Sequence, residues 1–346
     1  MDKNKINYVN LKFKQVKQIC SKTSILATQI YYFILRINKQ MNENINQTKI
    51  DKSFWQKHKI IIFSVITACL ITSLIFLYIH NSNADKGLKP DDIEISKDDE
   101  NTIITNPTKS IDAYTDKENL YIIAGKLKQT THFTSVVKGN VSALGGVYSQ
   151  TVRNDKIKID NEFYIQTKST SSFVNVGKQT YIVGENFVMR DATNVNQNKW
   201  SNTFEQSTAE KYKQTYGVLP TSLSNYELND ETITETTKTQ NADGTITFTF
   251  TIDAENGTKG YRLNMYKFGG LSSLPKFKSC TLEITVDTNW QIKTIKSKDS
   301  YVINKGGLLN NLSCTSTLTE TFSYPDKSTI QIPNRDLFIS NLTQSN

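Results

Sequence analysis

From about residue 133 to residue 333 apolar side chains recur at every second position in run after run. The clearest run is "TITFTFTID" (245–253), where Ile246, Phe248, Phe250 and Ile252 alternate with threonines. Successive side chains of an extended chain point to opposite faces, so this stretch predicts a strand with one apolar and one wet face. Ahead of it lie "TSVVKG", "GVYSQTV", "KIKID", "EFYIQTKS", "SFVNVG", "QTYIVG" and "NFVMRD", separated by the turn signals "ALG", "RND", "DN", "GK" and "GEN". Strands joined so tightly pair with their neighbours in an antiparallel meander. This first meander ends at "NKW", where Trp200 is expected to plug the sheet edge. A second meander runs through "ETITETTKTQ", the turn "NADG", "TITFTFTID", "CTLEITVD", "WQIKTIKSKDSYVI" and "CTSTLTETFSY" to a closing "STIQIP".

Helical spacing appears in two places. "SIDAYTDKENLYIIAGKLKQTTHF" carries Leu120, Ile122, Ile123 and Leu127 behind a capping Asp or Thr, and "FEQSTAEKYKQTYGVLPTSLSNY" is broken at Gly217 and Pro220. A short helix or loop is expected around "GYRLNMYKFGGLSSL". Helices before and between antiparallel strands make the fold class α+β. Most strands carry a single apolar stripe, and two main helices must cover about ten strands. That ratio predicts a highly curved antiparallel sheet, a half-open β-barrel, wrapped over a few helices. The inward stripe of Ile246, Phe248, Phe250, Ile252, Leu282, Ile284 and Val286 is the expected lining of its cavity.

The N-terminal part reads differently. "IIIFSVITACLITSLIFLYI", Ile60–Ile79, is twenty residues without a charge. At helical rise this spans about 30 Å of hydrocarbon, so one N-terminal transmembrane helix is predicted. Phe54, Trp55 and Tyr78 suit the two interfaces. Residues 1–59 hold twelve Lys or Arg against three acids, a net of +9, which leaves about −1 of the total +8 for the remainder. Cationic flanks stay in the cytoplasm. The expected layout is a basic cytoplasmic arm (1–59), the span (60–79), a polar linker (80–110) and an extracytoplasmic β-rich domain (111–340). Next to a span, the basic arm implies an anionic membrane surface and no nucleic acid. Met41 would give a shorter start, leaving residues 1–40 outside the translated chain; the other reading keeps them as an inner-leaflet helix. "ITAC" has the residue types of a bacterial lipoprotein cleavage box, with Cys69 as the lipidated residue, yet the apolar run continues for ten residues beyond it.

Candidate chemistry is sparse. His132 is the one histidine in the expected extracytoplasmic domain and has no partners at triad or zinc spacing. "DAENGT" (253–258) lacks the twelve-position calcium pattern and reads as a hairpin turn. No nucleophile and base can be named, so no enzyme, metal or cofactor is expected. Of the four cysteines only Cys280 and Cys314 fall in the outer domain. Both have the parity of the apolar face, and a disulfide between them is expected, with two buried thiols as the other reading.

The order helix, long meander ending in Trp, helical pair, second meander, with the ending "FSYPDKSTIQIP" and the late hairpin "ITVDTNWQIKTIKSKDSYVI", resembles the LolA and LppX-like superfamily of extracytoplasmic lipid-binding proteins over residues 112–334. The resemblance implies a hydrophobic concavity closed by helices that takes acyl chains; the apparent uncleaved span implies a tethered, single-pass signal-anchor version in the cell envelope. Two functions stay open from sequence: a membrane-anchored binding module for a lipid or other apolar ligand, and a sensory or protein-interaction subunit of an envelope complex with no small-molecule ligand.

Overall fold

The computed structural model describes residues 89–90, 103–143, 146, 148–171, 175–304 and 311–342. The basic arm, the expected span Ile60–Ile79 and most of the linker lie outside these residues. Among the described residues no helix is long and apolar enough to cross a membrane.

Helix α1 (Asp116–Gln129) begins where the sequence places a cap. Thr115 Oγ1 accepts from the Glu118 N–H at 3.2 Å, while the Glu118 carboxylate accepts from the Thr115 N–H at 2.8 Å. This reciprocal box satisfies two donors that the first turn leaves free. Asp116 and Glu118 at its start and Lys126 and Lys128 at its end oppose the helix dipole. Residues 103–105, expected in the linker, run along this helix: the Ile104 N–H donates to the Tyr121 carbonyl at 3.2 Å.

The strands of the first meander are β1 (His132–Ala143), β2 (Tyr148–Ile159), β3 (Glu162–Thr170), β4 (Asn175–Val183), β5 (Asn186–Asn194) and β6 (Lys199–Trp200). Short β7 (Glu205–Thr208) leads into helix α2 (Ala209–Tyr216). The second meander comprises β8 (Ile233–Gln240), β9 (Ile246–Ile252), β10 (Lys276–Val286), β11 (Ile292–Ile303) and β12 (Leu312–Ser323), with helix α3 (Lys259–Gly269) between β9 and β10. Helix α4 (Arg335–Leu342) follows. The result is an open, antiparallel twelve-stranded sheet in the order β6-β5-β4-β3-β2-β1-β12-β11-β10-β9-β8, with β7 beside β5. The first and last strands join the two meanders, with Val137 of β1 opposite Glu320 of β12. Gly139 permits that join, because a Cβ there would lie 2.0 Å from the Thr317 carbonyl oxygen.

Several expected boundaries move. "RND" (153–155) is not a turn, so the two segments around it form the single strand β2, and "GK" (177–178) likewise lies inside β4. Ladder pairing on both sides overrides the turn propensity of these residues: Asn154 pairs with Val137 and Thr167, and Gly177 with Lys168. "STIQIP" forms no strand; a 3-10 turn (Lys327–Thr329) and then α4 occupy the end of the domain. "DAENGT" is a strand-to-helix connection and not a hairpin, with Asp253 Oδ1 accepting the Glu255 and Asn256 N–H groups at 2.8 and 2.7 Å. Those bonds hold its carboxyl below the ordinary value. Trp200 does lie on the edge strand β6.

The sheet has apolar residues on both faces at one end. The inner face carries the main core with α1, while Tyr164, Tyr181 and Val188 point outward and pack with Phe338 of α4. Arg190 lies 5.4 Å from the Phe204 and Phe338 ring centres, and Arg335 Nε donates to Glu162 at 2.7 Å, tying α4 to β3.

Candidate functional site

The seven residues expected to line a cavity do share one face. The register places Ile252 beside Cys280, Phe250 opposite Leu282, Phe248 opposite Ile284 and Ile246 opposite Val286. They form filled core, however: Phe248, Phe250, Ile284 and Val286 are completely buried, and Ile246, Ile252 and Leu282 nearly so. Helix α1 is fastened over this end. Trp290 Nε1, in the turn between β10 and β11, donates to buried Asn119 Oδ1 at 2.6 Å, and the Asn119 amide donates to the Ile111, Tyr114 and Thr115 carbonyls. Tyr121 Oη donates to Asp230 at 3.0 Å, and Lys238 pairs with Asp112. Leu120, Ile122 and Ile123 of the helix join the same buried cluster. Of the seven, only Leu282 reaches the cavity.

That cavity lies elsewhere on the inner face. It has a volume of about 1100 Å³ and is lined by β1 to β5, β11 and β12, with Glu205 of β7 and Leu282 of β10, on one side and by α2, α3 and the connecting residues 218–226 on the other. Tyr212 of α2 stacks on Phe187 of β5 at 4.8 Å. Tyr216 and Phe268 stack at 4.9 Å and join α2 to α3. Gly217 ends α2 with φ +82°, and a Cβ there would lie 2.2 Å from the Gly260 carbonyl oxygen, so the two helices meet backbone to backbone. Val176, 42% exposed, marks an open rim.

The wall is mixed in character. Inward positions on β2 read Tyr148, Gln150, Val152, Asn154 and Lys156, and on β12 Leu312, Cys314, Ser316, Leu318 and Glu320. Lys156 Nζ meets Glu320 at 2.9 Å, with side chains 16% and 10% exposed, and Ser135 Oγ donates to the other Glu320 oxygen at 2.5 Å. Lys178 pairs with Asp191 at 2.9 Å and lies 5.8 Å from the Tyr216 and Phe268 ring centres. Next to the cavity, buried Asp299 accepts from Tyr226 Oη and from Ser316 Oγ at 2.9 Å; burial raises its pKa above the ordinary value.

Cys280 and Cys314 are free thiols, so the expected bridge is not formed. Strand β11 runs between them, with Cys280 opposite Asp299 and Cys314 opposite Tyr301. Burial raises both pKa values, that of Cys314 to about 11. His132 opens β1 and shares a hydrogen bond with Thr131 at 3.0 Å. Among the described residues no three His, Cys, Asp or Glu gather as a metal site. What the arrangement can do is enclose a molecule that is apolar along most of its length and meets hydrogen-bonding groups on one wall. No protein-family model and no curated protein matches this sequence.

Proposed function

We propose that the protein is a membrane-anchored extracytoplasmic binding module whose inner cavity holds a lipid or similar apolar molecule. The observation that carries this reading is the cavity of about 1100 Å³ between sheet and helices, above the 300–1,000 Å³ or so usual for small-ligand sites. An interior of that size is rare in close-packed proteins unless something fills it. The LolA and LppX-like resemblance supports the same reading, as does the shape of the sheet. Asp191 on β5 and Leu282 on β10 line one cavity, although seven strand spacings, about 34 Å in a flat sheet, separate their strands. A sheet that brings them together curls like a half-open barrel. The anchor rests on the uncharged run Ile60–Ile79 and on the basic residues before it.

The test is lipid extraction from the full chain purified without added lipid, followed by mass spectrometry. A defined lipid at near-equal molar ratio is expected, and its loss in Val152→Trp, which fills the cavity from β2. An empty wild-type protein with no uptake of added lipid would favour the envelope interaction subunit instead.

A further inference from the structure

Resting on the cavity reading, we infer that Asn154 is the recognition point for a hydrogen-bond donor on the ligand, so that the ligand is a neutral amphiphile bearing a hydroxyl or amide N–H within the cavity. The inward row of β2 mixes polar and apolar side chains along the wall, and its other polar members already have protein partners. Gln150 Nε2 donates to Ser169 Oγ, and Lys156 pairs with Glu320 at 2.9 Å. Asn154 Oδ1 is buried and has no hydrogen-bond partner among the described residues. Its neighbours across the strands are Val137 on β1 and Thr167 on β3, and all three residues line the cavity. A buried carbonyl oxygen without a donor is costly, and a turn of this amide about χ2 toward the cavity, which breaks no hydrogen bond of that oxygen, lets it take a donor from whatever enters.

The charges nearby narrow the class of ligand. The two lysines on the sheet side of the cavity are both occupied, Lys156 by Glu320 and Lys178 by Asp191. The third lysine of the lining, Lys267, stands on α3 over the Tyr266 ring, so beside Asn154 an anionic head would have to break the Lys156 pair to find a cation, and Glu320 with Asn154 would present oxygens to it. A hydroxyl or amide N–H instead donates to Asn154 without disturbing either pair. A hydrocarbon or simple ester lacks the donor and leaves the oxygen unmet.

The test is competition between monoolein, which has hydroxyls, and methyl oleate, which has none. Both are offered at equal concentration to the full chain in an amine-oxide detergent and read as adducts by native mass spectrometry. The wild type is expected to favour monoolein about tenfold, the ratio set by one hydrogen bond of ordinary strength. Asn154→Leu should bring the two near parity, and Asn154→Gln, which keeps the amide, should retain a preference. Equal binding by the wild type, or an undiminished preference in Asn154→Leu, overturns the assignment while the cavity reading stands. If neither molecule binds the wild type, the cavity reading falls and the assignment with it.

Discussion

Two stretches of one inner face have opposite fates. At the β9–β10 end the inward positions are uniformly apolar, and α1 fills the space above them; at β1–β4 and β11–β12 the inward positions are mixed, and a cavity remains under α2 and α3. The difference shows that apolar purity marks where a protein packs against itself. The cavity wall carries polar groups that the filled stretch lacks: Lys156 and Glu320 satisfy each other there, while Asn154 Oδ1 is left for the ligand proposed above.

The contrast can be broken or sharpened by substitution. Phe250→Ala in the filled stretch should cost about 3–5 kcal/mol, because the surroundings cannot collapse into the void; denaturant unfolding measures it. Glu320→Ala leaves Lys156 unpaired in the cavity wall and should cost about 2 kcal/mol by the same measurement, most of it recovered in a Lys156→Met, Glu320→Leu double variant. Asp299 supplies a pH signature at the border between the stretches. Its folded pKa is raised above the ordinary 3.8, chiefly by burial, so the folded protein holds this proton more tightly than the unfolded chain. The associated stability is therefore complete below pH 3.8 and lost as pH rises through the raised value. Unfolding free energies measured across that window should show the decline, and Asp299→Asn should flatten it. The smallest effect is expected for Val152→Ala on the open wall, under about 1 kcal/mol, since its neighbour on one side is already empty space.

Much of the scaffold is legible in the alternation. The helices at Leu120–Leu127 and around Tyr212, the break at Gly217, the "NADG" turn and the strand "TITFTFTID" all stand where local chemistry puts them. The cavity does not, and the reason lies in β2. Its "KIKI" places Ile157 and Ile159 where a reader expects the core, yet both pack outward beneath α4 with Tyr164 and Phe338, leaving Asn154 and Lys156 pointing in. Parity alone cannot tell which face is inner once a helix covers the outer one. Reading "RND" as a turn hid the same signal, since it cut the row Gln150, Val152, Asn154, Lys156 in two. The free thiols teach a related point: equal parity puts Cys280 and Cys314 on one face, but the meander order already sets "WQIKTIKSKDSYVI" between them, and a bridge would have needed the strand ends to curl together across it.

Those thiols also provide the most direct measurement, because Cys280 sits outside the cavity in the filled stretch and Cys314 in the cavity wall. The native full chain is treated with iodoacetamide at alkaline pH, and peptide mass mapping gives each rate relative to the unfolded chain. The account predicts that Cys314 is modified well before Cys280 and is protected once monoolein is bound. Equal protection of both thiols, or faster reaction at Cys280, would contradict an open cavity beneath β12.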